Sequence, residues 1–190
     1  MYFAFYFIGE MTNKRTRPTH YYPPIDLPMI TLTVKDGKLL ALDWYNNKTA
    51  QIFDKLNQHA VFIKQADLKN DDKNQSIALQ VITQLDEYFN GERMVFELPL
   101  DLSHGTDFQI KVWQTLCQIP YGHTISYKEL ATMINKPTAF RACANANGKN
   151  LISIIIPCHR VIASDGTLGG YTGGVSIKRI LLDLESKNLI

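Results

Sequence analysis

The sequence lacks any long hydrophobic run. Its longest apolar stretches, residues 1–8 and 151–157, fall well short of the roughly 20 residues that a membrane-spanning helix needs. Disorder and a collagen-like fold do not fit the composition either, since 45% of the residues are hydrophobic and only 20% are charged. The 190 residues therefore predict a soluble globular protein of one large or two small domains, with no membrane partner.

Cysteine is scarce, and its spacing excludes several kinds of site. Cys117, Cys143 and Cys158 form an odd set without a C-x-x-C pair, which argues against a disulfide framework and against a cysteine-rich zinc site. The histidines lack the H-x-x-x-H spacing of a metal site, so we assign no metal. Since no basic segment or cleavage site marks a secretory signal, we expect a cytoplasmic protein.

Acidic residues are missing from one long stretch of the second half. No Asp or Glu lies between Glu129 and Asp165. The same stretch holds four basic residues, namely Lys136, Arg141, Lys149 and Arg160. A polyanion can approach such a stretch without repulsion between like charges. An ordinary solvated surface has the same pattern, so charge alone leaves nucleic-acid binding open.

The first half has the pattern of a small α+β unit. Strand-like residues at 30–34 and 39–45 flank the hairpin signal Asp36-Gly37. Apolar residues then recur at helical spacing from Ile77 to Phe89, before the stop signal Asn90-Gly91. Residues 94–98 are a candidate for a further short strand. We find no catalytic constellation in this half.

We divide the chain into three segments: an amino-terminal extension, predicted to be flexible, at 1–20, an amino-terminal α+β domain at 21–102, and a carboxy-terminal domain at 103–190. The extension opens with an aromatic run, and its role is open. Because Met11 begins a more ordinary amino terminus, we hypothesise that translation starts there. An intact mass of protein made from the native gene tests this, and a mass that includes Met1 would contradict it.

The second half is mainly helical. Capping boxes at Thr106 and Ser126 predict the starts of two helices. The second of these ends before Pro137, and a third helix is predicted from Thr138 to Asn147. Two short helices joined by a three-residue turn are a candidate helix-turn-helix, although such pairs also occur as plain packing units.

Cys158 has neighbours that favour a reactive thiolate. The apolar residues 151–156 predict a buried strand or extended segment, which leads to Cys158, His159 and Arg160. A base and a positive charge beside a cysteine favour the thiolate, although a cysteine can equally be a small buried hydrophobe. Adjacent side chains of a strand point to opposite faces. His159 therefore serves Cys158 only if the backbone turns there or a water molecule bridges them.

Several motifs together resemble one known family. In order within residues 104–186 they are Ile125-Ser126-Tyr127, Arg141-Ala142, Asn150, Pro157-Cys158-His159-Arg160-Val161, Gly169-Gly170-Tyr171-x-Gly173-Gly174 and Leu181-Leu182-x-x-Glu185. This set is similar to the 6-O-methylguanine-DNA methyltransferase family, whose members are suicide proteins that repair alkylated guanine. Residues 20–100 resemble the variable amino-terminal domain of that family only loosely.

The resemblance implies a fold and a reaction. The fold is α+β: a small amino-terminal domain with a β-hairpin or sheet and a helix, then a mainly helical domain with a helix-turn-helix and the active-site cysteine loop. The reaction moves the alkyl group of 6-O-methylguanine in double-stranded DNA irreversibly to Cys158, once per molecule, after the base is flipped out through the minor groove. No cofactor is needed. Activity on 4-O-methylthymine stays open.

The resemblance also implies residue roles. Cys158 is the nucleophile, His159 is the base that acts through a bridging water, and Glu185 orients the imidazole. Tyr127 crowds the phosphate of the target nucleotide and donates a hydrogen bond to the guanine. Arg141 enters the base stack in place of the flipped base, a task that suits a planar guanidinium.

The resemblance also implies DNA contacts at Thr138, Ala139 and Phe140. It implies a hinge at Asn150 and a guanine pocket at Val161, Tyr171 and Thr172. The sequence departs from the family after the hinge and in the recognition helix, where Phe140, Ala144 and Asn145 occupy positions that are small in the family. Leu151 replaces a proline that usually follows the hinge asparagine. Phe140 is bulky where the family is small, so it either crowds the minor groove or packs inward as core.

Three alternatives belong to other functional classes. A non-catalytic alkylated-DNA lesion-binding protein lacks the nucleophile, so Cys158 counts against it. A helix-turn-helix regulator has no need for Cys158, His159 and Glu185 together, and a cysteine hydrolase turns over catalytically. A module that acts on one lesion needs no symmetric partner, so we predict a monomer.

Overall fold

The structure is a computed structural model that describes residues 17–46, 50–51 and 63–188. Its amino-terminal part contains β1 (Arg17–Tyr21), β2 (Ile30–Lys35), β3 (Lys38–Trp44) and α1 (Lys73–Phe89). Its carboxy-terminal part contains α2 (Asp107–Leu116), β4 (Ile125–Ser126), α3 (Tyr127–Met133), α4 (Phe140–Asn147), β5 (Val161–Ile162) and α5 (Val175–Lys187). The α+β order predicted from the sequence is confirmed.

The amino-terminal sheet is antiparallel, in the order β1-β2-β3. The hairpin predicted at Asp36-Gly37 forms, and both residues have the positive φ that such a tight turn needs, 51° and 72°. Strand β1 begins at Arg17, so residues 17–20 belong to the sheet and the predicted extension 1–20 is too long at its end. The aromatic run at 1–8 and Met11 lie outside the described residues.

Helix α1 packs against this sheet. Asp72 caps it by accepting hydrogen bonds from the backbone N–H groups of Asn74 and Gln75, at 2.7 and 3.2 Å. Its buried apolar face comprises Ile77, Ala78, Val81, Ile82, Leu85, Tyr88 and Phe89. Burying each of the larger of these side chains stabilises the fold by about 1.5–3 kcal/mol.

Residues 94–98 do not form the predicted strand. The side-chain amide of Gln84, on α1, bonds both backbone groups of Glu97, with distances of 3.1 Å to its carbonyl and 2.9 Å from its N–H. A side chain therefore takes the place of a strand partner. The chain meets β3 only afterwards, where Leu100 bridges Leu39.

Residues 152–156 are buried as predicted, but they form turns instead of a strand. The Asn150 amide competes for their backbone: its Nδ2 donates to the carbonyls of Ile152 and Ile156, at 3.3 and 3.0 Å. Within the described residues, this segment meets β3 in a single bridge, between Leu42 and Ile152. Ile154 has a φ of 70°, a left-handed conformation that a β-branched residue rarely adopts.

Helices α3 and α4 form the predicted helix-turn-helix and pack on each other and on α2. Both predicted capping boxes are present, at the starts of α2 and α3. Helix α4 begins at Phe140 and not at Thr138. The N–H of Ala139 instead closes a turn onto the carbonyl of Lys136, at 2.8 Å, so Thr138 and Ala139 precede the helix.

Helix α5 runs from Val175 to Lys187. It buries Ile177, Lys178, Leu181 and Glu185, and two of these four side chains are charged. Buried charges need partners, so this face marks a site and not a plain core. Among the described residues, no helix has both the length and the apolarity that crossing a membrane requires.

Candidate active site

Cys158 opens a short 3-10 turn, Cys158–Arg160, and is only 3% exposed. The chain bends here instead of continuing as a strand. Burial raises the pKa of the Cys158 thiol to about 11, although the hydrogen bond of Asn150 and the charge of Lys178 oppose this effect. At neutral pH the resting thiol is therefore protonated.

His159, Arg160 and Glu185 form a buried hydrogen-bonded network. His159 Nε2 lies 2.7 Å from Glu185 Oε1, and Arg160 donates to both carboxylate oxygens, at 2.9 and 3.0 Å. Burial alone raises the pKa of Glu185, but the hydrogen bonds and charges of His159 and Arg160 lower it to about 2. Burial lowers the pKa of His159 despite the opposing effect of Glu185. The carboxylate is therefore charged and the imidazole neutral.

This charge state fixes the tautomer of His159. A carboxylate only accepts, so Nε2 must carry the ring proton and Nδ1 holds a lone pair. Nδ1 is buried and has no hydrogen-bond partner within the described residues, so the ring makes no direct hydrogen bond to the thiol of Cys158. A neutral ring with a free lone pair has what a general base needs.

The positive charge that acts on Cys158 comes from Lys178, whereas the sequence pointed to Arg160. Arg160 turns to Glu185 and to the carbonyl of Ile119, at 2.7 Å. Lys178 is completely buried, and burial lowers its pKa to about 8. Sequence reasoning missed Lys178, although its position seven residues before Glu185 on the apolar face of α5 was a usable signal.

A cavity of about 420 Å³ opens between α3, α4 and the glycine-rich loop. Its lining comprises Tyr127, Ala144, Asn145, Asn147, Gly148, Gly169, Gly170, Tyr171 and Thr172. Burial is the main cause that raises the pKa values of Tyr127 and Tyr171, and the charge of a Cys158 thiolate raises them further. Both hydroxyls therefore stay protonated near the thiol. Val161 is not among these lining residues. Its carbonyl accepts a hydrogen bond from Lys178 Nζ at 2.6 Å.

Asn150 holds the segment that precedes Cys158. Besides its two donated bonds, its Oδ1 accepts from the N–H of Ile152, at 2.9 Å. Strand β3 supports the same segment, because Leu42 donates to the carbonyl of Leu151 and accepts from the N–H of Ser153, both at 2.7 Å. These bonds fix the backbone at Leu151, where the family usually has a proline.

Residues of the amino-terminal half reach the site, and sequence reasoning missed them. Trp44 Nε1 donates to the Tyr171 hydroxyl at 3.1 Å, and the Tyr88 hydroxyl donates to Glu185 at 2.8 Å. The partners are 127 and 97 residues apart, so no local pattern signals either contact. Similarly, Ser153 donates to buried Asp43 at 2.8 Å.

The helix-turn-helix presents a basic surface. Arg141, Lys136 and Lys149 are exposed, whereas Arg160 is buried and does not contribute. The Arg141 guanidinium lies 5.6 Å from the centroid of the Phe140 ring. Phe140 is half-buried and packs against the core, so its ring is directed largely inward.

Known proteins share both parts of the chain. Residues 24–102 match the ribonuclease-like domain of 6-O-methylguanine DNA methyltransferase, and residues 107–187 match its DNA binding domain. The chain belongs to this family. The methylated-DNA–protein-cysteine methyltransferase of Methanosarcina barkeri is 52% identical over 117 residues, which are 62% of this chain and 73% of that protein. That of Methanosarcina mazei is 44% identical over 136 residues, 70% and 85% of the two chains.

The fold is similar as well. The crystal structure of Mycobacterium tuberculosis OGT in complex with DNA superimposes with a TM-score of 0.72 and 38% identity. The match covers 90% of this chain and 94% of that one. Across residues 17–46, 50–51 and 63–188, no three His, Cys, Asp or Glu side chains are grouped closely enough to hold a metal.

Replacing Glu185 by Gln is expected to lower the free energy of unfolding at pH 7 by about 3–5 kcal/mol, because buried Arg160 loses its counter-charge. The pH dependence is also expected to change. The pKa of Glu185 falls from 4.5 to about 2 on folding, so its stabilisation is present above pH 4.5 and is lost as the pH falls toward 2. Urea unfolding across this range should show a shallower loss in Glu185→Gln than in the wild type.

Asp183→Asn is the matched control for this variant. Asp183 is exposed on the same helix, so its replacement is expected to leave stability and pH dependence nearly unchanged. An equally steep acid loss in Glu185→Gln and wild type would contradict the assignment of the buried charge to Glu185.

Proposed function

We propose that the protein repairs 6-O-methylguanine in double-stranded DNA by taking the methyl group onto Cys158. Its family makes it a methylated-DNA–protein-cysteine methyltransferase, a DNA repair enzyme. The observation that carries the assignment of residues is the buried thiol of Cys158 in one turn with His159, whose Nε2 is held by Glu185 while Nδ1 is left free to accept a proton.

The first step is removal of the thiol proton. Because the pKa of Cys158 is about 11, the thiol needs a base, and the available base is His159 Nδ1. Since no direct hydrogen bond joins the two groups, the proton passes from Sγ to a water molecule, which gives a proton to Nδ1. Glu185 stabilises the resulting imidazolium through its hydrogen bond to Nε2, and Lys178 stabilises the thiolate.

The second step is an in-line displacement at the methyl carbon. The Sγ–carbon bond forms as the carbon–oxygen bond of the guanine breaks, and the electron pair of that bond goes to the leaving base. Tyr127, whose hydroxyl is protonated, gives its proton to the guanine and is reprotonated through water by the His159 imidazolium formed in the first step. The product is a thioether, which no residue of the site reverses, so each molecule acts once and needs no cofactor.

The exposed basic residues of the helix-turn-helix support DNA binding. The methylated base is stacked inside the duplex, so it must be flipped out to enter the cavity lined by Tyr127, Tyr171 and Thr172. The exposure of Arg141, the second residue of α4, supports a role in filling the space left in the stack, with Thr138 and Ala139 in the adjoining turn. The minor groove is the route that the family resemblance implies.

Other features of the chain fit this proposal. Domains at 21–102 and 103–190 are supported by the separate family matches to residues 24–102 and 107–187. The three free cysteines suit a reducing cytoplasm. The site is complete within one chain, which favours action as a monomer.

Replacing Cys158 by Ala is expected to abolish methyl uptake and to leave DNA binding largely intact, because the nucleophile is lost and the helix-turn-helix is not. The measurement is the intact mass after incubation with a duplex that contains one 6-O-methylguanine, followed by peptide mapping. The wild type should gain one methyl group on Cys158, and Cys117→Ala should do the same. Residual uptake by Cys158→Ala would contradict the assignment, and a wild type that binds the lesion without gaining mass would favour a lesion-binding protein.

Replacing Arg141 by Ala is expected to slow repair of duplex DNA on the order of tenfold, the loss that one stacking contact implies. Reaction with free 6-O-methylguanine base should change much less, since no base stack has to be filled. Single-turnover rates on both substrates measure the difference. Arg179→Ala, which removes an exposed arginine of α5, is the control. Equal losses on both substrates would argue against a role in flipping.

A further inference from the structure

Tyr88 connects the amino-terminal domain to the centre of the site. It lies near the end of α1, is completely buried, and donates its hydroxyl proton to Glu185 Oε1 at 2.8 Å. Glu185 is the carboxylate that orients His159. The amino-terminal domain, in whose sequence we find no catalytic constellation, therefore contacts the proposed general base through one intermediary.

We propose that Tyr88 is a positioning residue of the transfer reaction, which holds Glu185 Oε1 in place and moderates the negative charge that this oxygen presents to His159. The inference rests on the proposed function, because it takes His159 as the base. It goes further because it assigns α1, through Tyr88, a role in positioning the carboxylate of Glu185.

The geometry places three donors on one oxygen. Glu185 Oε1 accepts from Tyr88 at 2.8 Å, from His159 Nε2 at 2.7 Å and from Arg160 Nη2 at 3.0 Å. Oε2 accepts from Arg160 Nε at 2.9 Å and from the N–H of Gly122 at 3.0 Å. Three donors share the negative charge of Oε1, so each one weakens its attraction for the others. Tyr88 is the neutral side-chain donor that competes directly with His159.

The ring of Tyr88 is fixed, so the position of its hydroxyl is fixed too. Its centroid lies 5.4 Å from that of Phe96 and 6.0 Å from that of Tyr121. Burial, followed by the charge of Glu185, raises the pKa of Tyr88 well above its ordinary value, so this hydroxyl donates throughout the working pH range. Tyr121 belongs to the same cluster, but its hydroxyl makes no bond to Glu185, which makes it a matched comparison.

Few other groups act on His159. Glu185, Arg160 and Lys178 affect its pKa, and the ring of Tyr171 packs against it edge-on with centroids 6.4 Å apart. Of these, Lys178 titrates nearest to neutrality, with a pKa of about 8. An effect of Tyr88 on the pKa of His159 is therefore measured best below pH 7, where Lys178 stays positively charged and Glu185 stays negatively charged.

Removing the hydroxyl leaves the buried carboxylate paired, because His159 and Arg160 still donate to Oε1. More of the negative charge of Oε1 then faces His159, which raises the pKa of its imidazole. The acid limb of the profile of methyl-transfer rate against pH should move to higher pH by about half a unit. Tyr88→Phe is then about threefold slower on that limb, and its rate equals that of the wild type on the plateau of the profile.

The experiment compares wild type, Tyr88→Phe and Tyr121→Phe. Single-turnover methyl transfer to Cys158 is measured between pH 5 and 8 with an oligonucleotide duplex that holds one 6-O-methylguanine. In parallel, NMR of isotope-labelled histidine follows the His159 ring over the same range in the free protein, and thermal unfolding confirms that each variant is folded. The NMR titration needs no DNA, so it tests the Tyr88 contact separately from the proposed function.

An upward shift of the acid limb and of the His159 titration in Tyr88→Phe, with neither in Tyr121→Phe, supports the proposal. Profiles that superimpose on the wild type overturn it, as does a loss of rate that is the same at every pH. Equal shifts in both variants overturn it as well, because they reduce Tyr88 to a packing role. A wild type that takes up no methyl group refutes the proposed function, and the titration of His159 still decides whether Tyr88 acts on the histidine.

Discussion

The structure depends on one buried negative charge. Glu185 is completely buried, and such a charge is tolerated only when it is paired and hydrogen-bonded. Its partners come from different parts of the chain: Arg160 and His159 from the active-site turn, the N–H of Gly122 from the loop after α2, and Tyr88 from α1. Because one carboxylate satisfies all of them, the last helix, the cysteine turn and the amino-terminal domain are held in one arrangement. Burial keeps His159, the proposed general base, neutral, and its contact with Glu185 fixes the tautomer.

The environment of Cys158 balances protection against reactivity. Burial keeps the thiol protonated, with a pKa near 11 that favourable contacts with Asn150 and Lys178 only partly offset. The thiolate is the form that oxidants and electrophiles attack. In the proposed reaction, in which Cys158 is used only once, the thiol is therefore preserved until a substrate fills the site and His159 removes its proton. Burial lowers the fraction of Cys158 that is thiolate, and in the proposed single-use reaction it thereby protects Cys158 from reacting with another electrophile first.

Local features were predictable from the sequence and distant ones were not. The hairpin at Asp36-Gly37 and the two capping boxes were predicted because backbone conformation there depends on a few adjacent residues. The predictions for 94–98 and 151–156 as strand or extended segments were wrong where side-chain amides, those of Gln84 and Asn150, took over backbone hydrogen bonds that a strand partner would have made. The motif around Cys158 identified the candidate site. The position of Lys178 on the apolar face of α5 could be read from the sequence, but its contact with the carbonyl of Val161 arises only on folding.

The site is a property of the whole fold and not of the helical domain alone. Strand β3 supplies backbone partners to Leu151 and Ser153, and it continues into Trp44, whose indole holds the Tyr171 hydroxyl at the cavity. Buried backbone groups without partners cost about 1–3 kcal/mol each. Without β3, the segment before Cys158 would lose the bonds that hold its strained conformation. Without α1, Glu185 would lose the donor that shares Oε1 with His159. The sequence of the amino-terminal domain shows no catalytic constellation, yet the contacts of this domain hold both the segment before Cys158 and the carboxylate of Glu185.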